Sequence, residues 1–300
     1  MNNLLIVLLG PTGAGKTDIS IDIARRFGCE IISADSRQFF MELKTGTAMP
    51  SCDQLAEIRH HFIGFLSVTD YYSASMFERD VLKILPGMFE KKPIVLMTGG
   101  SALYIDAVCN GIDDIPDTDP AIREKYARKC KEEGIAGLRM KLKLLDPGHY
   151  DTVDLRNPKR IIRALEICET TGRPYSSFLT GQARKRNFNI IRIGIERPRK
   201  ELYARINDRV DKMVSEGLES EARSLSEMRY LNALNTVGYK EFFDFFDGKT
   251  SREEAIGLIK RNSRRYAKRQ MTWWAKDRSI KWFAPESVPE IIKYIEGKTS

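Results

Sequence analysis

The sequence predicts an α/β fold with a parallel sheet core, a helical insertion domain and a helical C-terminal region. Three observations predict it: an apolar strand opens the chain at Leu4, further short apolar strands alternate with helical segments, and the composition becomes charged and helical between 113 and 181. Strands that alternate with helices are typical of parallel sheets. We therefore expect a core formed by 1–112 and 182–300 and an insertion over 113–181.

The first strand leads into a glycine-rich loop. Residues 4–17 read LLIVLLGPTGAGKT, an apolar run followed by the pattern GxxxxGKT. Such a run suits a strand buried on both faces, and the glycines let backbone N–H groups surround a phosphate at the start of a helix. The sequence thus predicts a P-loop NTPase-like core that binds a polyphosphate through the following residues: Gly10, Pro11, Thr12, Gly13, Ala14, Gly15, Lys16 and Thr17.

Two side chains of this loop have distinct expected roles. Lys16 would reach the outer phosphates as a point charge, and the Thr17 hydroxyl would ligate Mg²⁺. We therefore expect Mg²⁺ as the cofactor. The loop motif leaves open which phosphate compound is bound.

The next strand predicts a reactive acid. A helix is expected over Asp18–Phe27, ended by Gly28, and a buried strand over Cys29–Ala34. Asp35 follows this strand directly, and ligands of open parallel sheets bind at the carboxyl ends of the strands. Asp35 should therefore lie beside the P-loop, as a magnesium partner, a general base or only a turn residue.

The remaining elements follow in order. We expect a helix over Ser75–Glu90, a strand over Pro93–Thr98, a returning strand over Phe188–Glu196, and helices from Arg199 to Lys276 with breaks near Gly217, Gly238 and Gly248. The second of these ends in Thr98-Gly99-Gly100, where a nucleotide kinase would normally place an acid for magnesium.

Positive charge is concentrated near the end of the sequence. The net charge is +8, and Arg252–Lys281 holds ten Lys or Arg against three acids. A basic block on an otherwise balanced chain favours a nucleic-acid partner, although a merely solvated helix face gives the same pattern. On a helix, Arg261, Arg265 and Lys268 share one face. Trp273 and Trp274 follow, and each suits either base contacts or the core.

Several features indicate what the chain lacks. The sequence has no apolar run long enough for a membrane helix and begins with a core strand, so we expect a cytoplasmic protein with no membrane partner. The adjacent His60 and His61 would point to opposite faces of a strand, with no third metal ligand nearby. Scattered cysteines argue against a zinc site and disulfides and suggest small buried side chains: Cys29, Cys52, Cys109, Cys130 and Cys168.

Eight motifs together resemble one enzyme family, the tRNA dimethylallyltransferases, also called tRNA isopentenyltransferases. The likeness covers about residues 4–283. The motifs are GPTGAGKT at 10–17, DSRQFF at 35–40, GTAMP at 46–50, HHFIGF at 60–65, GGSALY at 99–104, NPKRIIRALE at 157–166, VGYKE at 237–241 and AKRQMTW at 267–273.

The resemblance implies an activity and its residues. A dimethylallyl group would pass from dimethylallyl diphosphate to N6 of the adenosine beside the anticodon of tRNA, with the P-loop holding diphosphate and not ATP. Asp35 would accept the N6 proton and Arg209 would steady the diphosphate, so the implied catalytic residues are Asp35, Thr17 and Arg209. We expect a monomer that binds the tRNA anticodon stem-loop.

The same resemblance implies an RNA-binding set. Its members are Asp35, Ser36, Arg37, Gln38, Ser101, Arg123, Lys159, Arg160, Ile161, Ile162, Arg163, Val237, Gly238, Tyr239, Lys240, Lys268, Arg269, Gln270, Thr272 and Trp273. Three positions depart from the family pattern: Met49 replaces the usual Lys, Gly64 the usual Asp, and Ser101 the usual Thr. Ser101 retains the hydroxyl, whereas Met49 puts any contact from its loop in doubt. The zinc finger of eukaryotic members is absent from the sequence, which favours a bacterial type.

Two other functions fit some of these features. A small-molecule or nucleotide kinase would use the P-loop for ATP and would turn it over without RNA. A non-catalytic RNA-binding P-loop protein would bind tRNA without transferring a prenyl group. Labelled dimethylallyl diphosphate or ATP, each with and without tRNA, separates these functions.

Overall fold

A computed structural model describes residues 3–116 and 118–299. The chain divides into two compact units. One unit comprises the chain up to Asn110 together with the chain from Lys185 onward, and the other is Gly111–Arg184. The insertion expected at 113–181 falls within the second unit.

The first unit is built on a parallel sheet. Among the described residues it contains six strands: β1 (Leu4–Leu9), β2 (Ile31–Ser33), β3 (His60–His61), β4 (Ile94–Gly99), β5 (Asn189–Ile195) and β6 (Ile280–Phe283). Their spatial order is β3-β2-β4-β1-β5-β6, and each neighbouring pair is parallel. β1 therefore lies in the interior of the sheet, and its carboxyl end meets those of β4 and β5 at one edge.

The helices follow in chain order, with α5 to α8 in the second unit. They are α1 (Lys16–Phe27), α2 (Cys52–Glu57), α3 (Ala74–Lys91), α4 (Ala102–Asn110), α5 (Pro120–Glu133), α6 (Ala136–Leu145), α7 (Pro147–Thr152), α8 (Pro158–Thr171), α9 (Arg199–Ser215), α10 (Leu218–Ser224), α11 (Tyr239–Phe246), α12 (Arg252–Trp274) and α13 (Val288–Thr299).

Helices cover both faces of the sheet, which explains why β1 is apolar at every position. Alternate residues of β1 point to opposite faces. Leu5, Val7 and Leu9 pack in one cluster with residues of α3 and α4, including Phe77 and Ile105. Leu4, Ile6 and Leu8 pack in another with residues of α1 and α13, including Ile23 and Ile295.

Helix boundaries follow local signals in the sequence. α1 ends where Gly28 adopts a left-handed conformation with φ of 61°. α12 begins with a capping box, in which the Ser251 hydroxyl accepts from the Glu254 N–H and the Glu254 carboxylate accepts from the Ser251 N–H. The predicted helical stretch from Arg199 does break at Gly217, Gly238 and Gly248. β6 and α13, which were not predicted from the sequence, complete the sheet and one of its covering layers.

The second unit has a core of its own. Tyr126, Leu138, Leu142, Ile161 and Leu165 are buried in one cluster drawn from α5, α6 and α8. The carboxylate of Glu166 is also buried, and the guanidinium of Arg123 pairs with it at 3.0 Å. This ion pair links α5 to α8.

The cysteines are free thiols, and the expectation that they are buried holds for some of them. Cys29, Cys109 and Cys168 are buried. Cys130 is half-buried, and the prediction is wrong for Cys52, which is exposed at the start of α2.

Candidate functional site

The P-loop connects β1 to α1. Gly13 and Gly15 have φ values of 83° and 99°, a left-handed region that favours glycine. Gly10 is also required for close packing, because a Cβ atom there would lie 2.6 Å from the Ile195 carbonyl oxygen. The loop thereby turns tightly and leaves the N-terminus of α1 facing the edge of the sheet.

Lys16 is a half-buried cation at this helix N-terminus. Its Nζ donates to the Pro11 carbonyl oxygen at 2.9 Å. Burial lowers the pKa of Lys16 to about 8, and the nearby Asp35 carboxylate partly opposes this shift. A bound polyphosphate would provide a negatively charged partner for this ammonium group.

Asp35 is brought beside the P-loop at the end of β2. Lys16, Thr17 and Asp35 line one cleft together with Arg209. The Asp35 Oδ1 accepts a hydrogen bond from the Arg37 N–H at 3.0 Å, which fixes one side of the carboxylate. The three residues expected to be catalytic, which come from three distant segments, therefore meet in one place.

Arg209 reaches the cleft from α9. Its guanidinium donates to the Thr12 hydroxyl at 3.2 Å and to the Thr47 carbonyl oxygen at 3.3 Å. Burial lowers the pKa of Arg209, while Asp35 raises it. Two half-buried cations, Lys16 and Arg209, thus line the cleft with the Asp35 carboxylate, and the cleft is suited to an additional anion.

The loop that carries Thr47 is held by a glutamate that sequence analysis missed. The Glu221 carboxylate accepts from the backbone N–H groups of Lys44, Thr45 and Gly46 at 2.8 to 3.1 Å, and from the Tyr239 hydroxyl at 2.6 Å. No sequence motif marks Glu221. The restraint matters because carbonyl groups of this loop accept from Arg209 and from Gln38.

Residues after Asp35 are ordered by polar contacts. The Ser101 hydroxyl accepts from the Ser36 N–H at 2.9 Å and donates to the Ser36 hydroxyl at 3.1 Å. The Gln38 side chain donates to the carbonyls of Thr47 and Ala48 at 3.3 and 3.2 Å. Arg37 donates to the Asn232 carbonyl oxygen at 3.2 Å. The segment 35–38 is thus fixed as one wall of the cleft.

A second cleft adjoins the first at Asp35 and Arg209. Several residues of the expected RNA-binding set line it: Asp35, Ser36, Arg37, Val237, Gly238, Lys240 and Arg269. Arg265 and Tyr266 of α12 line it too. Asp35 is therefore accessible from the side that carries the basic helix.

α12 presents two different faces. Arg261, Arg265 and Lys268 are exposed, as is Arg269. The two tryptophans, which the sequence left undecided, differ: Trp274 is buried in the sheet core, whereas Trp273 is exposed with its Nε1 donating to Asp106 at 2.7 Å. Thr272 is exposed, and its hydroxyl donates to the Lys268 carbonyl oxygen at 2.9 Å.

Some members of the expected RNA-binding set have buried side chains. Ile161 belongs to the core of the second unit, and the Tyr239 ring is buried with its hydroxyl bound to Glu221. Gln270 is also buried, and its amide bonds to the backbone of the P-loop and of the loop after β4. These side chains have partners within the protein, so their contact with RNA stays a prediction, and family motifs read along the chain do not distinguish them from exposed neighbours.

The other members of the set in the second unit lie near the start of α8. Lys159 and Arg160 are exposed, and they line a small pocket together with Arg163. Arg163 donates to the Thr118 hydroxyl at 3.1 Å, and Arg123 pairs with Glu166. Ile162 is half-buried against the core of this unit.

The two adjacent histidines have different partners. The His61 ring pairs with Glu30 at 2.6 Å, while the His60 Nδ1 contacts the Ile58 carbonyl oxygen at 2.7 Å. Burial lowers the pKa of His60. Throughout residues 3–116 and 118–299, no three His, Cys, Asp or Glu side chains are grouped so as to hold a metal ion.

None of the helices in the described part of the chain is both long and apolar enough to cross a bilayer.

Comparison with known proteins places the chain in a family. The IPP transferase family model matches residues 38–277. A tRNA dimethylallyltransferase 1 of Bacteroides fragilis is 53% identical over 98% of this chain and 97% of its own length. One of Porphyromonas gingivalis is 55% identical over 95% of both chains. The crystal structure of a full-length tRNA isopentenylpyrophosphate transferase from Bacillus halodurans is 34% identical, with a TM-score of 0.71 over 99% of this chain and 96% of that one.

Proposed function

Because this chain belongs to the IPP transferase family, we propose that it is a tRNA dimethylallyltransferase. It transfers a dimethylallyl group to N6 of the adenosine beside the anticodon of tRNA and so forms N6-isopentenyladenosine. The observation that carries this function is the meeting of the P-loop and Asp35 in one cleft, which adjoins the exposed basic face of α12.

The donor is dimethylallyl diphosphate, held by its diphosphate in the P-loop. Lys16 and Arg209 are half-buried beside the loop, and their positive charge is offset in part by Asp35. When the bond between the allylic carbon and oxygen breaks, the leaving diphosphate gains negative charge. Cations and N–H groups already oriented toward that site stabilise the developing charge without reorganisation.

Asp35 serves as the general base. The N6 nitrogen forms a bond to the allylic carbon, the electrons of the broken carbon–oxygen bond leave with the diphosphate, and the proton lost from N6 passes to the Asp35 carboxylate. The hydrogen bond from the Arg37 N–H orients this carboxylate at Oδ1 and leaves Oδ2 for the substrate. The adenosine must leave the base stack to reach Asp35, and the second cleft provides access to it.

The residues of the cleft fit a magnesium ion. Thr17 would ligate the ion through its hydroxyl, as P-loop threonines do. The buried Thr98 hydroxyl also lines the cleft and has no hydrogen-bond partner among the described residues, which suits a contact to metal-bound water. Magnesium would neutralise charge on the diphosphate oxygens.

The RNA partner is recognised by charge and by single-stranded bases. Arg265, Lys268 and Arg269 on the exposed face of α12 would neutralise phosphates of the anticodon stem-loop. Trp273 offers an exposed ring at the end of the same helix, suitable for stacking on a base.

A transfer assay tests this function. The protein is incubated with Mg²⁺ and labelled dimethylallyl diphosphate, with and without unmodified tRNA, and in parallel with labelled ATP. We expect label to enter RNA only when the allylic donor and tRNA are both present, and no turnover of ATP. ATP turnover without RNA would indicate a kinase, and tRNA binding without transfer would indicate a non-catalytic RNA-binding protein.

A further inference from the structure

The inward face of α12 carries a polar residue at a position where an apolar one would be expected. Tyr266, Gln270 and Trp274 are spaced four residues apart and lie on one face of the helix. Trp274 is 2% exposed and belongs to the core of the sheet, and Gln270 is 4% exposed. A buried carboxamide is costly unless its polar atoms are hydrogen-bonded, so Gln270 needs partners.

Gln270 finds its partners in two loops at the edge of the sheet. Its Oε1 accepts from the Thr12 N–H of the P-loop at 2.9 Å, and its Nε2 donates to the Gly100 carbonyl oxygen after β4 at 2.7 Å. One partner is a donor and the other an acceptor. A carboxamide satisfies both, whereas a carboxylate or a hydrocarbon side chain of the same length cannot.

Both loops are shaped for this contact. A Cβ atom at Gly100 would lie 2.5 Å from the Gln270 Nε2, so a glycine is required for the amide to approach. Thr12 is held a second time, since its hydroxyl accepts from Arg209 at 3.2 Å. The P-loop is thus restrained by α9 at the Thr12 side chain and by α12 at the Thr12 backbone.

The opposite face of the same helix is the basic one. Lys268 and Arg269, the two residues before Gln270, are exposed, and Arg265 lies about one turn earlier. A shift of α12 when polyanionic RNA binds would therefore act on the P-loop through the Gln270 amide. The helix places the two contacts within one turn of each other.

We propose that Gln270 is a positioning residue that couples the RNA-binding face of α12 to the diphosphate-binding P-loop. The proposal rests on the function proposed above. Gln270 acts through the Thr12 backbone, which it holds in the conformation that receives diphosphate. By linkage, RNA and diphosphate each raise the affinity of the protein for the other by the same factor.

The test measures binding of Mg²⁺ pyrophosphate by calorimetry, with and without unmodified tRNA. Pyrophosphate carries no prenyl group, so the tRNA stays unmodified during the titration. Gln270→Met keeps the length of the side chain but loses the donor and the acceptor. Gly100→Ala places a methyl group against the Gln270 Nε2 and so displaces the Gln270 amide without changing Gln270 itself. Lys260→Met is the matched control, because it removes a different tether of α12, the ion pair of Lys260 with Asp211 at 2.6 Å.

In the unaltered protein we expect tRNA to tighten pyrophosphate binding by at least fivefold, within the usual range of coupling between sites. Gln270→Met should weaken pyrophosphate binding about tenfold, the order expected for one lost buried hydrogen bond, and should reduce the coupling factor to about one. Affinity for tRNA alone should change by less than about twofold. Gly100→Ala should also weaken pyrophosphate binding and lower the coupling factor. The double variant should bind pyrophosphate no more weakly than either single variant, because both changes break the same contact.

Three outcomes would overturn the proposal: the unaltered protein shows no coupling, Gln270→Met retains it, or Lys260→Met abolishes it equally. If Gln270→Met does not fold, Gly100→Ala decides between the same outcomes. The two proposals can fail separately. Loss of coupling in Gln270→Met would support the role of Gln270 even if the transfer assay failed. If Gln270→Met retains the coupling factor and the enzyme is active, the role of Gln270 is wrong and the proposed function still holds.

Discussion

Lys16 and Arg209 are half-buried cations that share the cleft with the Asp35 carboxylate. Burial lowers the pKa of both side chains because removal from water disfavours their charged forms. Asp35 opposes the shift in each case. An entering diphosphate would complete the balance, so the energetics of donor binding depend on these three residues.

Replacing Asp35 by Asn tests the general base. The amide preserves the shape of the side chain but cannot accept the N6 proton, so we expect kcat to fall by roughly 10² to 10⁴. Affinity for tRNA, measured by filter binding, should change little. Near-normal turnover would exclude proton transfer to Asp35.

The pKa of Lys16 predicts how donor binding depends on pH. The charged ammonium binds diphosphate, and its population falls as pH rises through about 8, so pyrophosphate affinity should drop by up to about tenfold between pH 8 and 9. Lys16→Arg stays charged over this range and serves as the control for titration of pyrophosphate itself. Above pH 8, Lys16 should take up a proton when pyrophosphate binds. Calorimetry in two buffers of different ionisation enthalpy should detect this uptake in the unaltered protein. Identical pH profiles for the two proteins would contradict this role of Lys16.

Two threonines test the proposed magnesium site. Thr17→Ala should raise the Mg²⁺ concentration needed for half-maximal pyrophosphate binding, because the ion loses its protein ligand. Thr98→Val should raise this Mg²⁺ concentration less. It should leave the melting temperature unchanged or higher, because the Thr98 hydroxyl has no hydrogen-bond partner among the described residues. Thr98→Ser retains the hydroxyl and is the control. An unaltered magnesium requirement in Thr17→Ala would contradict the assignment.

Among the elements, α12 combines a packed face and an exposed basic face. Ala255, Ile259 and Trp274 pack inward, whereas Lys268 and Arg269 point outward. The helix can therefore lose outward charges without losing its packing. The proposed role of the basic face in RNA binding can thus be tested without changing the packed face.

The double change Lys268→Ala and Arg269→Ala should weaken tRNA binding and flatten its dependence on salt. RNA phosphates release counterions when cations neutralise them, so each lost contact should lower the log–log salt slope by about 0.7 to 0.9. Titrations at several salt concentrations measure this slope, and the melting temperature shows whether packing is retained. A lower melting temperature with an unchanged slope would mean that these residues only support the fold.

At the scale of the whole molecule, the division into two units predicts that they can be separated. Gly111 and Arg184 lie in contact, since a Cβ atom at Gly111 would be 2.7 Å from the Arg184 side chain. The chain thus enters and leaves the second unit at one point. That unit has its own core, around Tyr126 and Leu165.

Replacing residues 112–183 by a short Gly-Ser linker should therefore leave a folded first unit. We expect cooperative thermal unfolding and pyrophosphate affinity within about threefold of the full chain, because the cleft residues all belong to the first unit. Binding of tRNA should weaken, since Lys159, Arg160 and Arg163 are lost. Aggregation or loss of pyrophosphate binding would show that the first unit depends on the second.

The P-loop, the order of most strands and helices, and the position of Asp35 at a strand end could be predicted from the sequence. These are local properties, because apolar runs, glycine positions and strand ends depend on neighbouring residues. The folded chain was needed to show that Trp274 is buried and Trp273 exposed, that Gln270 bonds to the P-loop, and that Glu221 holds the loop of Thr47. Each of these contacts joins residues far apart in the chain, so burial and partner depend on how distant elements pack and cannot be obtained from the local pattern.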